Sequence, residues 1–438
     1  MSPELLAPAG SLEKLKVAAR YGADAVYLGA KEYSLRAKAE NFSLDELAEA
    51  LHYCEQEGIR AYVTLNIFPR NRDLPGIEHL LRLLSRGVRP NGIIVSDPGV
   101  VALCRKVCPE IPIHISTQAN VTNVEAARFW QGLGAARINL ARELSFREIG
   151  EIKRALSCQI EVFVHGALCI SWSGRCLLSL YMTGRDANQG ACAHPCRYSY
   201  RLEEEKRPGE FFPVEEDQRG TYIFSSRDLC LIRRLYDLSG AGVDALKIEG
   251  RTKGIFYLAH VVRAYRAALD SAIAALEGGG LSGEWQPPRG VYRELSYISS
   301  RKYTENFFED TPLPRDMAWE GTRVDQTYAP AALVLKGGNR PTFRALHVIR
   351  PGDLMEYMDD GLDTWKFRAG RLFAIDGTPL PKTIGGEEFF MELHPESGAE
   401  KGPKKRAEEG HWESMVKAMR PYSLVRKRAQ AESSGSNC

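Results

Sequence analysis

Four cysteines fall within 28 residues of the chain: Cys169, Cys176, Cys192 and Cys196. They stand in Gly166-Ala-Leu-Cys-Ile-Ser-Trp-Ser-Gly-Arg-Cys176 and Gly190-Ala-Cys-Ala-His-Pro-Cys-Arg197, and the whole chain of 438 residues holds only ten cysteines. Four thiolates on an irregular, Gly- and Pro-rich backbone suit a metal or iron–sulfur centre, because such a backbone lets each sulfur turn inward. Zinc sites pair tight C-x2–4-C knuckles. Here only Cys192 and Cys196 stand that close, and the other gaps are of six and fifteen residues. The spacing therefore suits a four-iron four-sulfur cluster better than zinc, with four reduced structural thiols as the remaining alternative. Cys54, Cys104, Cys108 and Cys158 fall on helical stretches and read as packing residues. Cys230, in Ser226-Arg-Asp-Leu-Cys230, is a substitute fourth ligand.

A loop that binds a cluster needs a scaffold to hold it. Short apolar runs at Glu4–Ala7, Ala25–Leu28, Arg60–Asn66, Gly92–Ser96, Ile113–Ser116, Arg137–Leu140, Glu161–His165 and Ala245–Glu249 read as strands. Amphipathic stretches such as Ser11–Tyr21, Ser43–Gln56, Asp73–Ser85 and Val121–Gly132 lie between them. Ser43 with Glu46 has the spacing of a capping box, and Gly58 follows as a stop. Eight strands alternating with helices predict an α/β fold, a (β/α)8 TIM-like barrel over residues 1–275. An open doubly wound sheet is the rival, but no G-x-G-x-x-G follows the first strand.

Active sites of such barrels lie at the C-terminal ends of the strands. The cysteines open a long insertion at about 166–244, just past the seventh strand, and so belong at that mouth. Gln118, Asn120, His165, Lys247, Glu249 and Arg251 are expected at strand ends there. Lys247, Glu249 and His165 are candidate proton-transfer residues, and Gln118, Asn120, Arg251 and Arg197 candidate substrate contacts. Lys247 and Glu249 stand two apart, which puts both on one face of a strand. Arg175, His194 and Arg197 flank the cysteines and could hold an anion. Beyond a linking segment at 276–322, turn signals at Gly337-Gly338-Asn339, Pro351-Gly352-Asp353, Asp359-Asp360-Gly361 and Asp376-Gly377 predict a small all-β barrel at 323–396. A basic tail is expected at 397–438.

Hydrophobic content of 44%, charged content of 26% and a net charge of +2 are those of an ordinary globular protein. From Lys401 to Gln430 nine Lys or Arg face three Glu, which points to an anionic partner such as nucleic acid. With neither a signal peptide nor a membrane-length apolar run, the expected location is cytoplasmic, with cysteines kept as thiols or metal ligands.

The stretch Glu161-Val-Phe-Val-His-Gly-Ala-Leu-Cys169-Ile-Ser-Trp-Ser-Gly-Arg-Cys176-Leu-Leu-Ser179 resembles the signature of the collagenase-like peptidase family U32. Leu5-Leu-Ala-Pro-Ala-Gly10, Gly22-Ala-Asp-Ala-Val-Tyr-Leu-Gly29, Ser116-Thr-Gln-Ala-Asn120 and Leu246-Lys-Ile-Glu-Gly-Arg251 are similar to the same family. The resemblance implies an oxygen-independent hydroxylase with a four-iron four-sulfur (4Fe-4S) cluster on Cys169, Cys176, Cys192 and Cys196. It further implies tRNA as partner, with the wobble uridine converted to 5-hydroxyuridine by prephenate-derived chemistry. Trp172, Tyr198 or Tyr200 could then stack on an unstacked base. Other substrates in the family are an rRNA cytidine and ubiquinone precursors. A peptidase is the rival class. The sequence shows no H-E-x-x-H and no G-x-S-x-G, so Cys169 with His165 would have to serve. A non-catalytic iron–sulfur scaffold is the third.

Overall fold

The computed structural model describes residues 2–35, 40–87, 89–168, 173, 176–197, 227–279, 285–298, 302–309, 326–396 and 412–429, with short strand pairs between 202 and 221. Eight parallel strands form the larger unit: β1 (Glu4–Ala9), β2 (Ala25–Gly29), β3 (Arg60–Leu65), β4 (Gly92–Val95), β5 (Ile113–Ile115), β6 (Ala135–Asn139), β7 (Gln159–Gly166) and β8 (Ala245–Ile248). Each pairs with the next, and β8 pairs with both β7 and β1. That double pairing closes the sheet, so the fold is a (β/α)8 barrel and not an open sheet.

The helices start where the sequence supplies caps. For α1 (Leu12–Arg20) the Ser11 side chain accepts from the Lys14 amide. For α2 (Leu44–Glu57), Ser43 and Glu46 form the reciprocal capping box, and Gly58 ends the helix in the left-handed region. Then follow α3 (Leu74–Arg86), α4 (Pro98–Val107), α5 (Val124–Gly132) and α6 (Phe146–Ala155). The fifth helix begins three residues later than its apolar pattern suggests, because Asn123 caps it by accepting from the Ala126 amide. Outward-facing strand residues such as Leu5, Val26, Val63, Ile93, Ile138, Val162 and Leu246 pack against these helices in one continuous core.

The insertion after β7 holds α7 (Leu178–Thr183), a short strand at Asp228–Cys230 antiparallel to β7, and α8 (Leu235–Gly240). After β8 come α9 (Ile255–Glu277) and α10 (Val291–Ser296). The expected linking segment is thus no spacer. Val291, Leu295, Ile298 and Phe308 are buried in the main core, and Tyr303–Thr304 pairs with Asp228–Leu229.

The second unit is a closed antiparallel barrel of six strands: β9 (Tyr328–Lys336), β10 (Thr342–Ala345), β11 (Leu354–Met358), β12 (Thr364–Ala374), β13 (Glu388–Pro395) and β14 (Leu424–Arg428). The order is β11-β14-β9-β10-β13-β12, with β12 returning to β11. Its last strand corrects the expected basic tail. Arg426-Lys427-Arg428 lies on a barrel strand, and the first two of its charges are met within the fold. Arg426 is buried, with Nη2 2.8 Å from Glu356 and Nη1 3.0 Å from Glu294 of α10, while Lys427 lies 2.8 Å from Asp353. The small barrel is docked firmly on α1, α9 and α10. Tyr21 donates to the Met358 carbonyl and accepts from the Leu424 amide, and buried Arg263 donates to the Gly361 and Asp363 carbonyls.

Candidate functional site

Inward-facing positions of the large barrel carry an unusual load of charge. At the N-terminal end, Glu4 accepts from Tyr62 at 2.7 Å and lies 2.7 Å from both Arg60 and Arg137. Arg137 also reaches Glu161 at 3.4 Å, and Glu161 reaches Lys247 at 2.7 Å. Glu4, Arg137, Glu161 and Lys247 are all buried. Burial alone would raise the Glu161 carboxyl, but Lys247 and Arg137 hold it below its ordinary value. Burial lowers the Lys247 ammonium, against the pull of Glu161. His114, over Gly92 in the same interior, is pushed down to about 3 by burial and by Arg137, and is neutral. The bottom of the barrel is therefore an unbroken chain of alternating charges, and Lys247 is its last link toward the mouth. Its Nζ lies 4.5 Å above the Tyr27 ring and 5.4 Å from Phe163, whose ring also carries the Arg142 guanidinium at 3.9 Å.

Arg251 crosses the mouth, as its place in Leu246-Lys-Ile-Glu-Gly-Arg251 suggests. It donates to Ser34 at 2.6 Å, to Thr64 at 3.2 Å and to Asn41. The space it uses exists because residue 29 is glycine: a Cβ there would stand 2.0 Å from Arg251 Nη2. Gln118 and Asn120 lie on the turn after β5, Asn120 in the left-handed region at φ 53°. Asn139, at the end of β6, joins them as a buried mouth residue that the sequence does not single out.

His165 is not with Lys247. A register shift between Lys247 and Ile248 turns it out of the barrel toward α9. Its Nδ1 lies 3.3 Å from the Tyr265 hydroxyl, and its ring sits among Tyr257, Tyr265 and Tyr303. Burial pushes it down to about 4. Glu249 belongs to this side too, its carbonyl accepting from Tyr257. The expected trio of Lys247, Glu249 and His165 is thus split between barrel interior and barrel wall. Cys230 also packs here, beneath the Tyr265 hydroxyl at 3.7 Å, and burial pushes its thiol up to about 11. Cys230 thus stands beside His165, on the side of the wall that faces α9.

The cysteine-bearing insertion lies across the mouth and is tied on two sides. At one, the Phe68 amide after β3 donates to the Asn188 carbonyl at 3.2 Å, and the Gln189 side chain donates back to the Phe68 carbonyl. At the other, the Ser173 amide donates to Glu143 after β6 at 2.9 Å. Within it, Arg185 donates to the Ala191 and Cys192 carbonyls, Asn188 to the Cys176 carbonyl, and the Ala193 amide to Ser179 on α7. These positioning roles of Arg185 and Asn188 leave no sign in the cysteine spacing. The His194 amide donates to Cys192 Sγ at 3.4 Å, with His194 at φ 59°. Cys176, Cys192 and Cys196 are half-buried thiols that form no disulfide. Cys169, Trp172, Arg175, Tyr198 and Tyr200 lie outside the described residues, as does the side chain of Arg197. Among the described residues no three His, Cys, Asp or Glu side chains converge closely enough to hold one ion.

Fold and site together define a (β/α)8-barrel protein with a cysteine-bearing loop across its mouth and a six-stranded barrel docked on its helices. The chain belongs to peptidase family U32, whose family model matches residues 10–318. It is 36% identical over 408 residues to tRNA hydroxylation protein P1 of Bacillus subtilis, covering 91% of this chain and 95% of that protein. To tRNA hydroxylation protein P of Escherichia coli it is 39% identical over 347 residues, covering 70% and 74%. It is 36% identical over 271 residues to a 23S rRNA 5-hydroxycytidine synthase of Escherichia coli, covering 62% of this chain and 40% of that protein.

Proposed function

We propose that the protein is an RNA-modifying hydroxylase, and more narrowly an iron–sulfur-dependent, oxygen-independent enzyme that converts the wobble uridine of tRNA to 5-hydroxyuridine with prephenate as co-substrate. The observation that carries the reading is a thiol-bearing loop laced across a barrel mouth, in a chain similar along nearly its whole length to a tRNA hydroxylation protein. Cys169, Cys176, Cys192 and Cys196 would hold a four-iron four-sulfur cluster. Cys176, Cys192 and Cys196 outside any disulfide, with Cys192 already accepting a backbone N–H, suit such a donor set. Such a cluster supplies one-electron redox capacity that no side chain has.

The rest of the site binds and orients. Arg251 braces the rim from β8 to the β2 and β3 loops, and Lys247 and Arg142 present positive charge around the Phe163 ring. A base can reach this depth only if unstacked, which an anticodon loop permits. The peptidase alternative is disfavoured, because His165 is held against Tyr265 behind the barrel wall. No helix among the described residues is long and apolar enough to cross a membrane. The proposed location is the cytoplasm, where tRNA is found and thiols stay reduced.

The test is anaerobic purification with iron and sulfide quantitation, for wild type and Cys192→Ala, beside mass spectrometry of tRNA nucleosides from a complemented deletion strain. About four irons and four sulfides per chain, lost in the variant together with 5-hydroxyuridine, is the expected result. Bound zinc, or unmodified tRNA with a loaded wild type, would overturn it.

A further inference from the structure

Among the described residues, the barrel mouth contains two amide oxygens with no protein partner. Asn139 is the last residue of β6. Ile138 beside it packs in the outer core, and Arg137 before that reaches Glu4 inside the barrel, so Asn139 faces the interior at the mouth end. It is 3% exposed, and its Oδ1 accepts no hydrogen bond. The Oδ1 of Asn120 is buried and unpartnered in the same way. The two stand on elements stitched together: Thr117 Oγ1 donates to the Leu140 carbonyl at 3.1 Å, and the Ala141 amide donates to the Val121 carbonyl at 3.1 Å. A buried amide left unmatched lowers stability, and native proteins satisfy nearly all such groups. Two on joined elements of a barrel mouth suit a ligand that donates to them.

We infer that Asn139 and Asn120 form a base-reading subsite that accepts the ring N–H of a planar heterocycle, uracil being the base that fits. The choice of an RNA base rests on the hydroxylase reading above. Around the barrel from these acceptors come Phe163 on β7, Arg142 stacked on its ring, and Lys247 on β8. The wall thus offers acceptors on one side, cationic donors on the other, and an aromatic face between. The pairing edge of uracil is a carbonyl, an N–H and a second carbonyl. Its N3–H suits an amide oxygen, and its carbonyls suit the cations. Cytosine has no hydrogen on N3 and an amino group in place of one carbonyl, so it loses the central bond and sets an amine against positive charge. The site therefore selects uridine over cytidine by an unmatched acceptor, the kind of discrimination that buried polar groups provide.

The experiment is fluorescence anisotropy with the full, anaerobically purified chain and three anticodon stem-loop RNAs, carrying uridine, cytidine or an abasic site at the wobble position. Wild type is expected to bind the uridine RNA tenfold or more tighter than the other two. Asn139→Leu, of similar size and without the amide, should bind all three equally, at the wild-type affinity for the abasic RNA. Its melting temperature should equal or exceed that of wild type, since an unmatched buried amide has been removed; a structural residue would lower it. Asn120→Gly, which keeps the left-handed backbone, should narrow the preference in the same direction. A wild type without preference, a preference that survives Asn139→Leu, or a melting temperature that falls in that variant overturns the inference. A wild type that prefers uridine yet makes no 5-hydroxyuridine refutes the hydroxylase reading and leaves the subsite standing. Hydroxylation with the preference intact in Asn139→Leu does the reverse.

Discussion

Neutralising Glu294 should loosen the joint between the two barrels, by an amount that depends on pH in a defined way. Glu294 on α10 is 1% exposed. Its oxygens lie 3.0 and 3.1 Å from Arg426 Nη1, one of them also 3.6 Å from Arg263 Nη1 and 2.8 Å from His260 Nδ1. Burial alone would raise its pKa; His260, Arg263 and Arg426 around it hold it at about 2 against an ordinary 4.5. At about 1.4 kcal/mol per tenfold, that difference corresponds to about 3 kcal/mol of stability. Breaking a buried pair by removing one partner costs about 3–5 kcal/mol, a concordant figure. A carboxyl depressed in the fold contributes fully above its unfolded value and loses that contribution as pH falls through its folded one. Glu294→Gln should therefore lose about 3 kcal/mol at pH 7, and its deficit should shrink below pH 4.5 and vanish near pH 2. Urea unfolding followed by tryptophan fluorescence across that range measures the difference. A deficit under about 1 kcal/mol at pH 7, or one that persists undiminished at the acid end, would refute the reasoning.

Two further outcomes follow from the large barrel. Gly29→Ala places a methyl group where the Arg251 guanidinium lies, so it should abolish tRNA hydroxylation in the complementation assay while the protein still folds; wild-type 5-hydroxyuridine would show that Arg251 does not brace the mouth. Lys247→Met and Glu161→Gln should each destabilise by about 3–5 kcal/mol, and the double variant by much less than their sum, because each single change strands a buried charge; additive losses in a double-mutant cycle would count against a coupled pair.

The eight strands and the capped helices are legible in the sequence because each βα unit carries its own local signals, such as Ser43 with Glu46 and the stop at Gly58. What escapes the sequence is set by distant partners. Arg426 reads as a solvated tail charge until Glu294 and Glu356, far away in the chain, are seen to meet it. His165 reads as a mouth residue because alternation cannot foresee the register shift beside Ile248. Glu4, Arg137 and Glu161 each look like ordinary strand-edge charges, and only the closed barrel reveals them as one chain. Asn139 is invisible because its significance is a missing partner.

Both barrels are completed by their last strand, which bears on how the polypeptide is made. On the ribosome, β1 to β7 form an open sheet whose two edges wait for β8 to arrive after the long insertion. The small barrel waits longer, since β14 must slot between β9 and β11, two strands synthesised well before it. During that interval each nascent sheet presents bare edge strands, the usual template for wrong pairings. The paired cations of β14, Arg426 and Lys427, make that strand a poor partner for an edge that cannot supply Glu294, Glu356 and Asp353. A pair of cations that is costly to bury unpaired thus acts as a proofreading tag: the strand settles where three acids already stand in place.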